Sequence, residues 1–218
     1  MNRYLTGALL VCAILVAIPS TASAQRRNLN PVGLRGYFTF DTNVMAAKRT
    51  FDGVLGAHRF NAPGAGAEII RIYKGAFVRL AGSRFDATGS RVVVYDNDVA
   101  SLDIPITLEL RHFEFGGGWR FGDRVGARVV PYAGGGLVKL GYRETSDLSG
   151  TADNVDTTFN GVNAFGGVDV LVWRWFGAGV EVQYRSFANA IGEGGASKAF
   201  GETDLGGTTF RVMVGARY

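Results

Sequence analysis

The sequence predicts an all-β fold, an eight-stranded antiparallel up-and-down transmembrane β-barrel with long extracellular loops and short periplasmic turns, behind a secretory signal peptide. Three features predict it: an alternating C-terminal strand ending on an aromatic, an N-terminal apolar run too short to span a bilayer, and connections that alternate between short and long. In the last strand, Phe210, Val212, Val214, Ala216 and Tyr218 share one face, while Arg211, Met213, Gly215 and Arg217 share the other, because successive side chains of an extended chain point to opposite sides. The first face suits lipid and the second a wet lumen.

Residues 1–24 read as the signal peptide. Arg3 precedes an apolar run from Leu9 to Ile18, and Ala22-Ser23-Ala24 is a small-x-small cleavage pattern, so the mature barrel domain is expected over 25–218, starting at Gln25. The run is shorter than the roughly 20 residues a membrane helix needs, and no later stretch reaches that length. Cys12 is the sole cysteine and lies within the run, so no lipid anchor, disulfide, thiol nucleophile or thiolate metal site is expected of the mature chain. The formal charge of +4 is modest and the cations are spread rather than blocked, which gives nucleic-acid binding no support.

Period-two segments follow in order. The first spans residues 34–42, with Leu34, Gly36, Phe38 and Phe40 opposite Arg35, Tyr37, Thr39 and Asp41. The second (65–73) and third (76–85) are joined by Lys74-Gly75; in the third, Val78 and Leu80 face out and Arg79 and Ser83 in. Glu68 shares the phase of Ile70 and Ile72, which calls for a bulge or a strand end. The fourth (104–121) changes phase, from Ile106, Leu108 and Leu110 to Phe113, Phe115, Trp119 and Phe121, so a bulge is expected at Arg111-His112. In the fifth, Val130, Tyr132, Val138, Leu140 and Tyr142 oppose Lys139 and Arg143, and in the sixth Val162, Ala164, Val168 and Val170 oppose Asn163, Phe165 and Asp169. In the seventh, Val180, Val182 and Tyr184 oppose Glu181, Gln183 and Arg185.

Connections at Lys74-Gly75, 122–126 and 173–176 are short, whereas 43–63, 86–103, 146–158 and 187–205 are long, the pattern of an outer-membrane barrel. Trp119, Phe121, Trp173, Trp175 and Tyr218 supply an interfacial aromatic girdle. Opposite the aliphatic faces lie Arg79, Glu109, Arg111, Lys139, Arg143, Asp169, Glu181, Arg185 and Arg211. That is too many charges for the dry core of a small soluble barrel, and they are expected to pair across a narrow lumen.

The signal peptide, the strand opening Val130-Pro131-Tyr132-Ala133-Gly134-Gly135-Gly136 and the aromatic C-terminal strand resemble the small outer-membrane β-barrel proteins of the opacity, OmpA-type barrel and OmpW-like group. The resemblance spans the mature chain and implies a closed monomer with a side-chain-filled interior in the outer membrane of a diderm bacterium. Its partners would be outer-membrane lipid, the barrel-assembly machinery through the strand from Phe210 to Tyr218, and an extracellular ligand of the loops. No peptidoglycan-binding domain is expected after Tyr218, so that attachment is not carried over from the resemblance.

The expected role is non-enzymatic, structural or surface-interacting, with a narrow channel or carrier for a small solute as the alternative. A lipid-modifying enzyme is a third, weaker reading: His112 has Glu109 and Glu114 near it in sequence but no serine on its strand. No catalytic, cofactor or metal residues are assigned. His58 and His112 would form a metal pair only if adjacent, and the acidic turns Asp96-Asn97-Asp98 and Asp153-Asn154-Val155-Asp156 lack the spacing of a calcium loop. The glycine clusters at 116–118 and 134–136 relieve strand curvature rather than cradle phosphate. Met45, Phe51 and Leu55 fall on one side of a segment with helical period, which predicts a short helix at the barrel mouth.

Overall fold

The computed structural model describes residues 32–95, 98–123, 127–146, 154–173, 175–187, 190, 200–202 and 204–218. The signal cleavage point at Ala24 and Gln25, the acidic-turn residues Asp96, Asn97 and Asp153, and most of 188–200 lie outside them.

Eight antiparallel strands close into one barrel: β1 (Gly33–Met45), β2 (Arg59–Ile70), β3 (Ala76–Tyr95), β4 (Asp98–Arg120), β5 (Val129–Ser146), β6 (Val155–Leu171), β7 (Phe176–Ser186) and β8 (Gly207–Arg217). Each strand pairs with its sequence neighbours, and β1 pairs with β8, so no edge is left open. The closure is tied at the chain end, where Leu34 and Tyr218 exchange backbone hydrogen bonds of 3.1 and 2.8 Å. One end of the barrel, here the lower, carries the start of β1, the end of β8 and the β2–β3, β4–β5 and β6–β7 turns. The upper end carries the other four connections.

Alternation is clearest on β1, β7 and β8. Phe38, Phe40, Val180, Val182, Phe210 and Val212 are exposed outward, while Tyr37, Thr39, Asp41, Glu181, Gln183 and Arg211 are buried inside. At the lower rim Trp119, Phe121, Trp173, Trp175 and Tyr218 all face out, and Trp173 and Trp175 stack with ring centroids 6.4 Å apart. From Phe121 up to Phe113 the outward residues of β4 cover about 27 Å of strand, or about 20 Å of height at a tilt of roughly 40°, close to the apolar band of a membrane barrel.

Three sequence expectations are corrected. The stretch 86–103 is no long loop: β3 and β4 run on as a paired hairpin to Tyr95↔Asp98. No bulge occurs at Arg111-His112; both ladders of β4 pass through it in register, and the one shift lies between Ser90 and Val92. The phase of β5 is reversed from its start, since Val130, Tyr132, Val138 and Leu140 are buried inside while Lys139 and Arg143 are exposed outside. Glu68 and Ile70 both face inward without a bulge.

The strands differ in height. β3 to β6 have 20, 23, 18 and 17 residues against 13, 12, 11 and 11 for β1, β2, β7 and β8, so one wall rises above the rest. Its inner surface is apolar, and α1 (Lys48–Leu55) folds against it, burying Phe51. Glycines admit the larger inward rings: a Cβ on Gly66 would sit 2.5 Å from the Tyr37 ring, and one on Gly167 would sit 2.6 Å from the Tyr132 hydroxyl.

Candidate functional site: a filled lumen beneath a latched mouth

The lumen is built in three tiers. In the lowest, Arg35 of β1 forks onto Asp169 of β6 at 2.9 Å through both terminal nitrogens and reaches Glu68 of β2 at 3.1 Å. Arg120 of β4 donates to Asp169 at 2.6 Å and to Asp123 at 3.0 Å, and Arg71 lies 3.8 Å from Asp123. Arg217 of β8 comes within 4.0 Å of the same Asp123, so four guanidiniums face three carboxylates.

The middle tier is balanced at three charges of each sign. Arg79 of β3 donates to Glu181 of β7 at 2.6 and 3.2 Å; Arg211 of β8 forks onto Asp41 of β1 at 2.8 and 2.7 Å and onto Glu114 of β4 at 3.1 and 3.0 Å. Arg185 of β7 donates to Glu114 at 2.6 Å and to Asn43 at 2.9 Å. All six ionic side chains are at most 3 % exposed. Charges so enclosed persist only when paired and hydrogen-bonded. Aromatic rings fill the remaining width: the Arg79 guanidinium lies 3.4 Å from the Phe165 centroid, and Arg120 faces Tyr132 and Phe77 at 5.6 and 6.0 Å.

Above the charges sits an apolar tier of Met45, Phe51, Phe60, Leu108, Leu110, Val138, Leu140, Phe187 and Leu205. It closes the bore from the upper side. The Phe51 and Phe60 rings are 5.5 Å apart and the Phe60 and Phe85 rings 4.5 Å. At the same height, the Tyr142 hydroxyl donates to Glu144 at 3.0 Å, and burial followed by that carboxylate's charge pushes its pKa up.

Over this tier the β1–β2 and β7–β8 connections are latched together. α1 has no acid in its first turn and no side-chain cap from Ala47; instead Glu202 accepts from the backbone N–H of Arg49 and Thr50 at 3.0 and 2.8 Å and from the Thr50 hydroxyl at 2.7 Å. A carboxylate at a helix N-terminus satisfies open donors and opposes the helix dipole. Gly56, at φ 68°, closes the other end. Asp204 holds the backbone N–H of Phe187 and Gly206, both at 2.8 Å. Glu202→Ala is expected to weaken the latch by about 1 kcal/mol, seen as faster amide exchange confined to residues 48–56.

Of the charges expected to meet in the lumen, the structure brings together Arg79, Asp169, Glu181, Arg185 and Arg211. Glu109, Arg111, Lys139 and Arg143 instead face outward on the upper wall, where Arg111 bonds Glu109 and Arg143 lies 2.9 Å from Asp156. Their phase was set by treating Leu108, Leu110, Val138 and Leu140 as lipid-facing, whereas those side chains fill the apolar tier. Missed were Arg35, Asp41, Glu68, Glu114 and Arg120. The signal for Glu114 lay between Phe113 and Phe115, and that for Arg35 and Asp41 opposite the aromatics of β1.

The histidines are apart in role. His58 contacts Asp52 at 2.8 Å beside α1, while His112 is enclosed in the lumen against Phe187. The register sets Ser83 directly across from His112, a neighbour the sequence did not reveal. His112 Nδ1 and Ser83 Oγ make no hydrogen bond to each other, and the cavity at His112 is about 10 Å³, far too small for a substrate.

The backbone is similar to the N-terminal β-barrel domain of Pseudomonas aeruginosa OprF, with a TM-score of 0.50 at 12% identity over 84% of this chain and 97% of that one. It is likewise similar to Ail, the attachment invasion locus protein of Yersinia pestis, in complex with the heparin analogue sucrose octasulfate, with a TM-score of 0.50 at 9% identity over 86% of this chain and 97% of that one. No protein-family model and no curated protein matches the sequence. The likeness is one of fold, that of the small outer-membrane β-barrels.

Proposed function

We propose that the chain is a non-enzymatic integral outer-membrane β-barrel of a diderm bacterium, a closed platform whose latched upper end meets molecules outside the cell. The observation that carries this reading is the continuous filling of the bore by two ion-paired tiers and an apolar tier. Eight strands leave little room beyond side chains. Cavities of about 20 Å³ at the lower mouth and about 10 Å³ beside His112 are each on the scale of a single water. A conducting path would have to break buried ion pairs and the Phe51–Phe60 packing together.

The experiment is a planar-bilayer recording on folded protein whose heat-dependent shift on SDS gels shows an intact barrel. Silence is expected. Discrete conductance steps would replace the platform reading with the narrow-channel one. An enzymatic role is tested by His112→Phe in cells: lipid acylation patterns should be unchanged, and a lost modification would overturn the non-enzymatic reading.

The remaining partners follow from the same reading. Membrane lipid contacts the outward belt, the assembly machinery engages the strand from Phe210 to Tyr218, and the barrel acts as a monomer because β1 and β8 already close it.

A further inference from the structure

At the seam that closes the barrel, the register sets Arg35 of β1 directly opposite Arg217 of β8, both facing into the lowest tier. Like charges directly opposite each other oppose strand pairing. Arg35 is satisfied by Asp169 and Glu68. Arg217 is not. Its side chain is only 14 % exposed, the one carboxylate that approaches it among the described residues is Asp123 at 4.0 Å, and its guanidinium makes no hydrogen bond among them. A guanidinium carries five N–H donors, and a cation so far withdrawn from water is costly without a bonded counter-charge.

Asp123 does not supply that counter-charge, because it already serves Arg120 at 3.0 Å and Arg71 at 3.8 Å. Arg71 reaches it from a backbone at φ 58°, a left-handed conformation that a non-glycine residue rarely adopts. The side chains of this tier therefore carry one positive charge in excess, whereas the middle tier is balanced. Beside Arg217 lies a cavity of about 20 Å³, lined also by Arg35, Arg120, Asp169, Gly177 and Gly215. Both oxygens of Asp169 are engaged by Arg35 and Arg120, so the guanidiniums set the character of the cavity. Room on the scale of one water admits a monatomic anion and excludes phosphate or a sugar acid.

We propose that Arg217, with Arg35 and Arg120, holds a chloride ion in this cavity at the lower mouth. The ion accepts hydrogen bonds from Arg217, brings the lower tier to balance and relieves the Arg35–Arg217 opposition across the closing seam. Closure of the barrel is thereby coupled to a small anion.

Two measurements on the folded mature protein test the site. Crystals grown in sodium bromide should show an anomalous-scattering peak within hydrogen-bond reach of the Arg217 guanidinium; its absence overturns the proposal. Urea unfolding in zwitterionic lipid vesicles then compares sodium chloride with sodium gluconate at equal ionic strength, gluconate being too large for the cavity. At chloride ten times its dissociation constant, the folding equilibrium constant should be about elevenfold higher than in gluconate. Arg217→Gln should abolish that difference, and Lys139→Gln, on the outer wall, should keep it. In gluconate Arg217→Gln should match or exceed the wild type, since it removes the charge facing Arg35. Equal wild-type stability in the two salts, a chloride gain that persists in Arg217→Gln, or an equal loss by that variant in both salts overturns the site, the last by marking Arg217 as an ordinary partner of Asp123. Each protein is first checked for its heat-dependent gel shift, and if Arg217→Gln lacks one, the wild-type peak and salt response decide.

Discussion

Replacing Glu114 by alanine should destabilise the folded barrel by about 3 to 5 kcal/mol, the scale for removing one partner from a buried ionic cluster. Glu114 is 1 % exposed and is the carboxylate that touches all three middle-tier arginines, at 2.6 Å to Arg185, 3.0 Å to Arg211 and 3.5 Å to Arg79. Without it, those arginines face only Asp41 and Glu181, and no solvent reaches them to make up the difference. The control is Glu109→Ala, five residues earlier on the same strand. Glu109 is itself 8 % exposed, but it contacts Arg84 and Arg111 on the outer wall, where both arginine side chains are about half exposed and solvated, so its loss should cost less, about 1 kcal/mol. Urea midpoints followed by tryptophan fluorescence in lipid vesicles measure both. Equal losses at the two positions would mean that the inner tier does not hold the barrel together.

That contrast also shows how far the sequence carried. The membrane strands were legible because β1, β7 and β8 keep one rule along their length, and β3 and β6 keep it in their lower parts, apolar outward and polar inward; residues such as Phe210 and Arg211 or Val180 and Glu181 disclose it locally. The tall wall, β3 to β6, obeys two rules, and on β4 and β5 the change falls within the segment read as one strand. Up to Phe113 their outer side meets lipid; beyond it the outer side meets water and the inner side meets α1, Phe187 and Leu205. A strand that passes from one surrounding to the other inverts its hydrophobic pattern without changing register. The inversion at Leu110 to Phe113 therefore looks like a bulge, and in β5 it sent Lys139 and Arg143 to the wrong side. The same cause hid the 86–103 hairpin, whose polar residues read as loop although they pair across an aqueous wall. Pairings between distant segments, such as Arg35 with Asp169 or Glu202 with α1, have no local signature. They depend on barrel closure and on a cap supplied from another connection.

Two outward arginines introduced on β6 should separate these surroundings directly. Val168→Arg places a guanidinium in the row Pro131–Val168–Val180–Val212–Phe40, flanked by apolar side chains within the belt, and should cost about 2 to 4 kcal/mol, the range for arginine on the lipid face near the bilayer midplane. Thr158→Arg lies on the same face of the same strand but in the row of Arg84 and Arg111, opposite Gly141, where the cost falls to about 0 to 1 kcal/mol at or above the interface. Gln183→Arg is not a mild control either, although it points into the lumen: Gln183 is 0 % exposed, and an added cation would upset a tier already balanced at three charges of each sign. Unfolding in vesicles ranks the three. If Val168→Arg and Thr158→Arg cost the same, the outer wall meets one solvent along its whole height, and the inversion on β4 and β5 would need a cause other than the membrane.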